Sequence, residues 1–472
     1  MKKTLLFYLI SICSSLILNS QTTFAALQNI DSNTGDDPYE IASGDLDDDG
    51  FVDLVIATYF YNGGTPAQDY IKWYKNDGNG NFTLQSTVSS SIRWVDGLFI
   101  ANIDGQNGND IVATSTNQNK LVYFPSDGLG GFGSEVTVGG TINGPGQVFV
   151  ADINNDGNMD LATVAYDDDE AIWFAGDGSG NFGAKQIIAS GTTNGPFEIG
   201  FADIDNDTDM DALVGYFNNG SIEIYYNQYI ESGTMTVSWI KDAVTVDSGN
   251  PYLQVALFAD VNNDGVKDVV KLDNSSGEVE WFDKIKNGTS TPHTISDNTI
   301  IKRPGTVFVT DLDNDTYNDV IVTDGGSIDD AVIWFKGANN ASPSSTPSLV
   351  GDNNYQIFAV TVDDFDYDGD NDIAFVGFFS NTLDWYENEL ISLGTNDESK
   401  NKISIYPNPT KNQLYFKGFS ESFDVSVYDI LGKNVLNKNL DLNASLDVSK
   451  LQNGIYIIKF KDYNSTFKFV KQ

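Results

Sequence analysis

The chain has 472 residues, with 67 Asp and Glu against 26 Lys and Arg and a formal net charge of −41. Such a charge excludes a nucleic-acid partner, because phosphate neutralisation needs a basic surface, and the 12% aromatic content excludes the disorder that acidity alone would suggest. The charge is uneven: residues 400–472 hold 11 Lys and 6 acids, a balance of +5, whereas residues 26–399 hold 13 Lys and Arg and 61 acids, a balance of −48, so two domains of different character are expected.

The start, MKKTLLFYLISICSSLILNSQTTFA, combines two lysines, an apolar run from Leu5 to Leu18 and small residues at Ala25 and Ala26. This is the layout of a Sec signal peptide over residues 1–25. Cys13 is the only cysteine, and bulky Ile12 before it argues against a lipoprotein anchor. The exported chain then has neither disulfides nor thiol chemistry. No later segment approaches 18 uninterrupted apolar residues, so no transmembrane segment is expected.

From residue 45 a nine-residue pattern, D-x-D-x-D-G-x-x-D, recurs seven times: DLDDDGFVD (45–53), NIDGQNGND (102–110), DINNDGNMD (152–160), DIDNDTDMD (203–211), DVNNDGVKD (260–268), DLDNDTYND (311–319) and DFDYDGDND (364–372). The first positions are 57, 50, 51, 57, 51 and 53 residues apart, the period of a repeat architecture. Before each pattern runs an alternating apolar stretch such as GQVFVAD (146–152), and after it a β-rich run such as DLVIAT (53–58). Then comes an aromatic strand, IKWYKN, LVYFPS, AIWFAG, IEIYYN, VEWFDK, VIWFKG or LDWYEN, and in several copies a glycine turn with a further strand, as in DGNGNFTLQ (77–85). Four short antiparallel strands per unit describe a propeller blade. The expected fold is all-β, with a seven-bladed propeller over 26–390, a linker over 391–401 and a small β-sandwich over 402–472. The seventh unit lacks its own outer strand, so residues 26–31 are expected to complete it and close the ring.

Five aspartates in the first nine-residue loop repel one another by roughly 3 kcal/mol per pair at ~5 Å and an effective dielectric near 20, and a cation would offset this. Side-chain oxygens at positions 1, 3, 5 and 9 and the carbonyl of position 7 can supply the six to eight hard oxygens that Ca²⁺ takes, and transition metals would want His or Cys. The ligand sets are Asp45, Asp47, Asp49, Asp53 and Phe51; Asn102, Asp104 and Asp110; Asp152, Asn154, Asp156, Asp160 and Asn158; Asp203, Asp205, Asp207, Asp211 and Asp209; Asp260, Asn262, Asp264, Asp268 and Val266; Asp311, Asp313, Asp315, Asp319 and Tyr317; and Asp364, Asp366, Asp368, Asp372 and Asp370. Asp48 points to solvent in this reading. Up to seven Ca²⁺ are expected, with the second loop weak or empty because Asn102, Gln106 and Asn107 replace acids and glycine there. Glycine at position 6 permits a left-handed residue, while Thr208 and Thr316 in that place are strained by on the order of 1–2 kcal/mol. A single Asp/Asn/Gly run could be a plain turn former; seven in register carry more than that.

The repeat resembles the FG-GAP or VCBS type, related to the integrin alpha-chain propeller, with the aspartate pattern on the inner hairpin and W-[FY]-x-N on the third strand. The resemblance implies structural Ca²⁺ at the loops between first and second strands, and it leaves the ligand open among adhesion, glycan binding and lyase catalysis. In the tail, Tyr406-Pro407-Asn408-Pro409, Asp429 with Gly432-Lys433, Leu451 with Gly454 and Tyr456, and a Lys-containing end resemble the type A C-terminal sorting domain of type IX secretion. This implies a Gram-negative bacterium, the type IX machinery as partner, removal of the tail, and a secreted or cell-surface product.

No catalytic residue is assigned. His293, the only histidine, aligns with an outer strand, and no hydrolase, metalloprotease or dinucleotide motif is present. Loops joining one blade to the next bring Tyr39, Arg93, Trp94, Phe197, Tyr252, Arg303 and Tyr355 to the face opposite the aspartate loops, a set suited to sugar or peptide recognition. The expected function is a monomeric, calcium-binding, non-catalytic adhesion module for a glycan or surface protein. The alternatives are a calcium-dependent polysaccharide lyase and a purely structural surface component.

Overall fold

The computed structural model describes residues 23–471, apart from 36, 60–69, 107, 192, 231–235, 244, 249–250, 275, 284, 286–289, 326–330, 353–355, 391–403, 418–421, 430–432, 442–444 and 462–465. Every named element among them is a β-strand. Residues 1–22 of the expected signal segment, Tyr355 and the linker lie outside the described residues, whereas Phe24 bridges to Asn388 and Ala25 N–H donates to the Glu387 carbonyl at 2.8 Å, at the edge of the last blade.

The second strand of each repeat decides the architecture. Asp53–Thr58, Asp110–Ser115, Asp160–Ala165, Asp211–Tyr216, Asp268–Asp273, Asp319–Asp324 and Asp372–Gly377 are buried at all six positions, as their near-continuous apolar runs require of a strand covered on both faces. Each is flanked by antiparallel neighbours in a four-stranded sheet, and one sheet adds the short strand Asp247–Ser248. The innermost strands are Pro38–Gly44, Gly97–Ala101, Pro145–Ala151, Pro196–Ala202, Leu253–Ala259, Pro304–Thr310 and Ile357–Asp363. They adjoin one another in chain order and the last adjoins the first, so the sheets stand as blades around an axis. Gln28–Asp31 pairs antiparallel with Thr382–Tyr386, Gln28 opposite Trp385 and Asp31 opposite Leu383, which supplies the last blade's outer strand from the chain's start and covers the edge of Thr382–Tyr386.

The core lies between blades. Ala162, Val164 and Trp173 of one blade pack with Ile199, Phe201 and Val214 of the next, and Leu54, Ile56 and Tyr74 of the first blade meet Phe365, Ala374 and Trp385 of the last. This packing explains the glycine turns. Gly80 lies against Trp385, Gly130 against Trp73 and Gly180 against Tyr123, so a Cβ at any of them would overlap an aromatic side chain of the preceding blade. In the tail, Ser404–Tyr406, Gln413–Lys417 and Leu446–Asp447 form one sheet. Asn434–Leu440, Phe423–Asp429, Gly454–Phe460 and Thr466–Lys471 form a second, and Leu414, Val425, Ile458 and Phe460 share one core between them.

Candidate metal loops and axial funnel

Each aspartate loop joins the first and second strands of its blade and is wired the same way. The ninth-position aspartate is enclosed, with Asp53, Asp110, Asp160, Asp211, Asp319 and Asp372 at 0% exposure and Asp268 at 2%. One oxygen accepts the N–H of position 2, from Leu46 at 3.2 Å, Ile153 at 2.9 Å and Phe365 at 2.9 Å. The other accepts the N–H at the end of the third strand, from Asn76, Gly176 and Asn388, each at 2.8 Å. Desolvation outweighs these bonds and pushes Asp53, Asp211, Asp268 and Asp319 up to about 7 and Asp372 to about 8. The first-position carboxylate closes the turn, as Asp152 does by accepting N–H bonds from Asp156 at 2.9 Å and Gly157 at 2.8 Å. The sixth position is left-handed throughout the six loops that keep the pattern: φ is 88° at Gly50 and Gly157, 86° at Gly265 and 102° at Gly369, and Thr208 and Thr316 adopt 81° and 77°.

Position 4 is also left-handed, at Asp48, Asn155, Asn206, Asn263, Asn314 and Tyr367, which the motif reading did not foresee. Its side chain reaches the next loop: Asn155 donates to the Thr208 carbonyl at 3.2 Å, Asn314 to Gly369 at 2.9 Å, and the Tyr367 hydroxyl to Gly50 at 2.7 Å. In return Asn109, Asn318 and Asn371 at position 8 donate to the carbonyls of Asp45, Asp260 and Asp311, each at 2.8 Å. The Asn of W-[FY]-x-N does similar work, since Asn76, Asn227 and Asn388 donate to Phe365, Ile153 and Leu312 of the preceding blade at 2.7, 3.0 and 2.8 Å. The loops form a hydrogen-bonded circuit around one face, and Asp48 is exposed on it.

Among the described residues, carboxylates converge in four loops: Asp45, Asp47 and Asp53; Asp203, Asp205 and Asp211; Asp311, Asp313 and Asp315; and Asp364, Asp366 and Asp372, each set with ligand atoms within 4.8 Å of one another. Their fit to a cation rests on uncompensated atoms. Oδ1 of Asp45, Asp47, Asp313 and Asp370 and Oδ2 of Asp207 are buried without a hydrogen-bond partner, a state that costs on the order of several kcal/mol for a charged group unless something pairs with it. The all-oxygen donor set suits Ca²⁺ or Mg²⁺. In the third and fifth loops Asn154 and Asn262 stand at position 3 and accept the N–H of Asp156 at 3.0 Å and of Asp264 at 2.9 Å. In the second loop the Asn102 amide is taken up internally, donating to Gln106 O at 2.7 Å and accepting from Gly105 N–H at 2.8 Å.

Two lysines enter the loops. Lys75 contacts Asp47 and lies 3.0 Å from Asp49 Oδ2, and Lys336 contacts Asp313 and lies 2.8 Å from Asp315 Oδ2. Both engage Oδ2 and leave the buried Oδ1 of the same Asp47 or Asp313 carboxylate facing the cluster. The signal was present in IKWYKN and VIWFKG, where other repeats carry Pro125, Ala175, Tyr226, Asp283 or Glu387.

On the opposite face the innermost strands enclose an axial cavity of about 150 Å³ lined by Tyr39, Glu40, Asp96, Gln147, Phe197, Glu198, Gln254, Thr306 and Phe358 among others. A wider cavity of about 410 Å³, lined by Tyr39, Tyr59, Gln254, Arg303, Gln356, Phe358, Phe378 and Phe379, shares three of these residues and forms the mouth. Rings line the approach. Tyr59 lies 5.1 Å from Tyr39 and 5.0 Å from Trp94, Phe358 lies 5.3 Å from Tyr39 and 5.0 Å from Phe378, and Phe217 bridges Phe197 and Tyr252, 5.4 Å from each. Of the rim residues expected from sequence, Tyr39, Phe197 and Arg303 line the funnel, and Trp94 and Tyr252 reach it through ring contacts. Arg93 is exposed and lines neither cavity. The sequence reading missed Tyr59, Phe217 and Phe378, each the first residue beyond a second strand, and the acids Glu40, Asp96 and Glu198. Trp94 and Tyr252 hold φ of 50° and 76° where the corresponding positions of two other blades are Gly144 and Gly195, a backbone outlier for bulky residues of the kind that collects at binding rims. His293 sits on the outermost strand Thr291–Ser296, stacked 4.3 Å from Trp281 and 3.6 Å from Asp283.

Blade-like antiparallel sheets around an axis, linked by acidic loops, define the class as an all-β propeller-type protein with a C-terminal β domain. Residues 102–163 match the FG-GAP-like repeat family, and residues 404–472 match the secretion system C-terminal sorting domain, so the chain carries FG-GAP-like repeats and a type IX sorting tail that directs export to the cell surface or beyond. No curated protein matches. Among solved structures, the chain is similar to a catalytically inactive variant of virginiamycin B lyase from Staphylococcus aureus with quinupristin, at 13% identity and TM-score 0.50 over 78% of this chain and 99% of that one. It is also similar to an Agrocybe aegerita lectin that recognises non-reducing terminal N-acetylglucosamine, at 15% identity and TM-score 0.46 over 78% and 94%. The first likeness concerns the fold alone. No described helix is long and apolar enough to cross a membrane.

Proposed function

We propose that this is a secreted or surface-attached binding module. A signal peptide over 1–25 and a sorting domain over 402–472 serve export, and a propeller over 26–390 binds a glycan or surface protein at its axial funnel without catalysis. Calcium held by the loop carboxylates supports this scaffold: when bound, it supplies charge neutralisation to the converged aspartates, chiefly in the first, fourth, sixth and seventh loops. The funnel carries the reading, because a concave, ring-lined mouth about 410 Å³ in volume, placed on the face the loops do not use, has the form of a ligand site. The supporting observation for calcium is the set of buried carboxylate oxygens without partners.

The test is a glycan and surface-protein array probed with the mature chain, followed by Phe379→Ser and Arg303→Ala variants. Phe379 is 66% exposed at the mouth, so its replacement leaves the fold intact and is expected to weaken the array ligand at least tenfold. Unchanged binding in both variants would sink the funnel reading. Release of unsaturated products from pectic, alginate or glycosaminoglycan polymers, followed by absorbance, would establish the lyase alternative instead.

A further inference from the structure

The inner cavity gathers three carboxylates without a counter-cation; Glu198 accepts the Ala256 backbone N–H and Asp96 accepts the Thr116 hydroxyl. Glu40, Asp96 and Glu198 come from three different blades and line it together with neutral Gln147, Gln254 and Thr306, and no lysine or arginine lines it among the described residues. Glu198 is 7% exposed. Glu40 is half-buried in the cavity wall, and among the described residues its carboxylate accepts no hydrogen bond. The Tyr39, Phe197 and Phe358 side chains wall the same space. Carboxylates convergent on an enclosed volume, with aromatic side chains around it, present what a compact organic cation seeks: ion pairing at its head and aromatic contact along its stem.

We infer that the axial channel takes a protonated primary amine on a slender unbranched stem, the chemistry of a lysine side chain presented by a partner protein. This rests on the funnel being the binding face and adds the chemistry of its floor. The cavity of about 150 Å³ exceeds what a bare ion fills and admits an ammonium group with several methylenes. Arg303 stands in the outer cavity, where it meets the body of the ligand and not its head. Burial above all holds Glu40 and Glu198 well above the usual carboxylate range, with repulsion from Asp96 and Glu198 adding to it at Glu40, and burial pushes Asp96 up to about 6. Entry of an ammonium therefore releases protons, and binding tightens as pH rises through 6. Tyr39, also facing the site, is raised by the same burial and stays neutral.

The experiment is calorimetric titration of the mature chain, in saturating calcium, with cadaverine, its uncharged analogue 1,5-pentanediol, and glucosamine. Cadaverine is expected to bind with an enthalpy that varies with the buffer's ionisation heat, and pentanediol to give no signal. Glu40→Gln and Glu198→Gln are each expected to weaken cadaverine roughly tenfold. Both variants remove repulsion, so their melting temperatures are expected to stay equal or rise, which separates lost binding from lost folding. No cadaverine heat, tighter glucosamine than cadaverine, or displacement of cadaverine by excess calcium overturns the inference. If cadaverine fails while an array ligand still depends on Phe379, this inference falls and the funnel reading stands; if both fail, the funnel reading falls too.

Discussion

Removing calcium should remove much of the propeller's stability, and its size can be worked from the loops. Four loops bring three carboxylates within 4.8 Å. Extracellular calcium modules bind with dissociation constants on the order of 10⁻⁴ M, so about 10 mM calcium lies roughly 100-fold above that value and each occupied loop adds about 2.7 kcal/mol. Four such loops sum to roughly 11 kcal/mol, a quantity as large as the whole stability of an ordinary domain. The loops are hydrogen-bonded to one another, so loss at one loosens its neighbours. The assay is urea unfolding followed by tryptophan fluorescence, since Trp73, Trp173, Trp281, Trp334 and Trp385 are all 5% exposed or less and report on the blades. The midpoint in calcium is expected far above that in EDTA, with magnesium restoring only part. Asp47→Asn should reduce the calcium increment, and Asp104→Asn in the second loop should leave it nearly whole. Coincident midpoints in calcium and chelator would refute the reasoning.

Lys75→Met and Lys336→Met each remove a positive charge beside a divalent site, worth roughly 1.7 kcal/mol at ~5 Å in a water-like dielectric; calcium titration is expected to show two sites tightened roughly tenfold, and unchanged or weaker affinity would mean that the lysines hold the carboxylates in place. Lys271 has a side chain 3% exposed, 2.6 Å from Asp247 and 3.8 Å from both Asp273 and Glu280, so Lys271→Met should lower unfolding free energy by about 3–5 kcal/mol in urea titration. Thr208→Gly and Thr316→Gly relieve a left-handed threonine, on the order of 1–2 kcal/mol, against about 0.5–1 kcal/mol of added chain entropy; a small rise in melting temperature is expected, and a fall would show the threonines to be otherwise used. Asp96 has a folded value near 6, above its unfolded one, so the folded state binds the extra proton and stability falls as pH rises from about 4 to 6. Asp96→Asn in saturating calcium should flatten that fall by on the order of 3 kcal/mol, read as the difference between wild-type and variant unfolding free energies from urea titration.

The blade was legible because every repeat solves the same problem with the same residues. The ninth aspartate must accept one N–H within its loop and another from the third strand, and it stands in all seven repeats, which is what makes the period visible in the amino-acid sequence; the residue that ends the third strand and reaches the preceding blade is Asn only at 76, 227 and 388, with Ser126 reaching Leu46 in the same way. Position 4 escaped notice because Asp, Asn, Gly and Tyr all occur there, and only the left-handed backbone unites them. The channel escaped for a different reason. Counting alternate residues back from each aspartate loop should tell which side chains face the axis, but the pairing register shifts between Pro38 and Glu40, Pro145 and Val148, Pro196 and Glu198, Leu253 and Val255, Pro304 and Val307, and Ile357 and Val360. An irregularity of one residue turns the following side chain to the other face, so alternation loses its meaning at the height of the funnel.

The same shift separates what the two faces can do. On the loop face each blade must clip to its neighbour, so a change in one repeat breaks a bond that the adjoining repeat supplies, as Tyr367 to Gly50 or Asn371 to Asp311 would be broken. Toward the axis the bonds between blades are fewer and more varied: Thr114 and Thr323 donate to the carbonyls of Gly146 and Ile357 at 2.7 and 3.1 Å, and Ala256 donates to Glu198. Counting back from the loops, the corresponding positions hold Glu40, Gly97, Gln147, Glu198, Val255, Thr306 and Ala359, from charged to apolar, and the ring survives all of them. Three acids enclosed there, with Asp96 alongside the two glutamates, oppose folding through repulsion and lost hydration. A ring fastened by hydrogen-bonded aspartate loops and asparagines on one face has stability to spare for an unfavourable arrangement on the other, and under the proposed function ligand binding is the use of that arrangement.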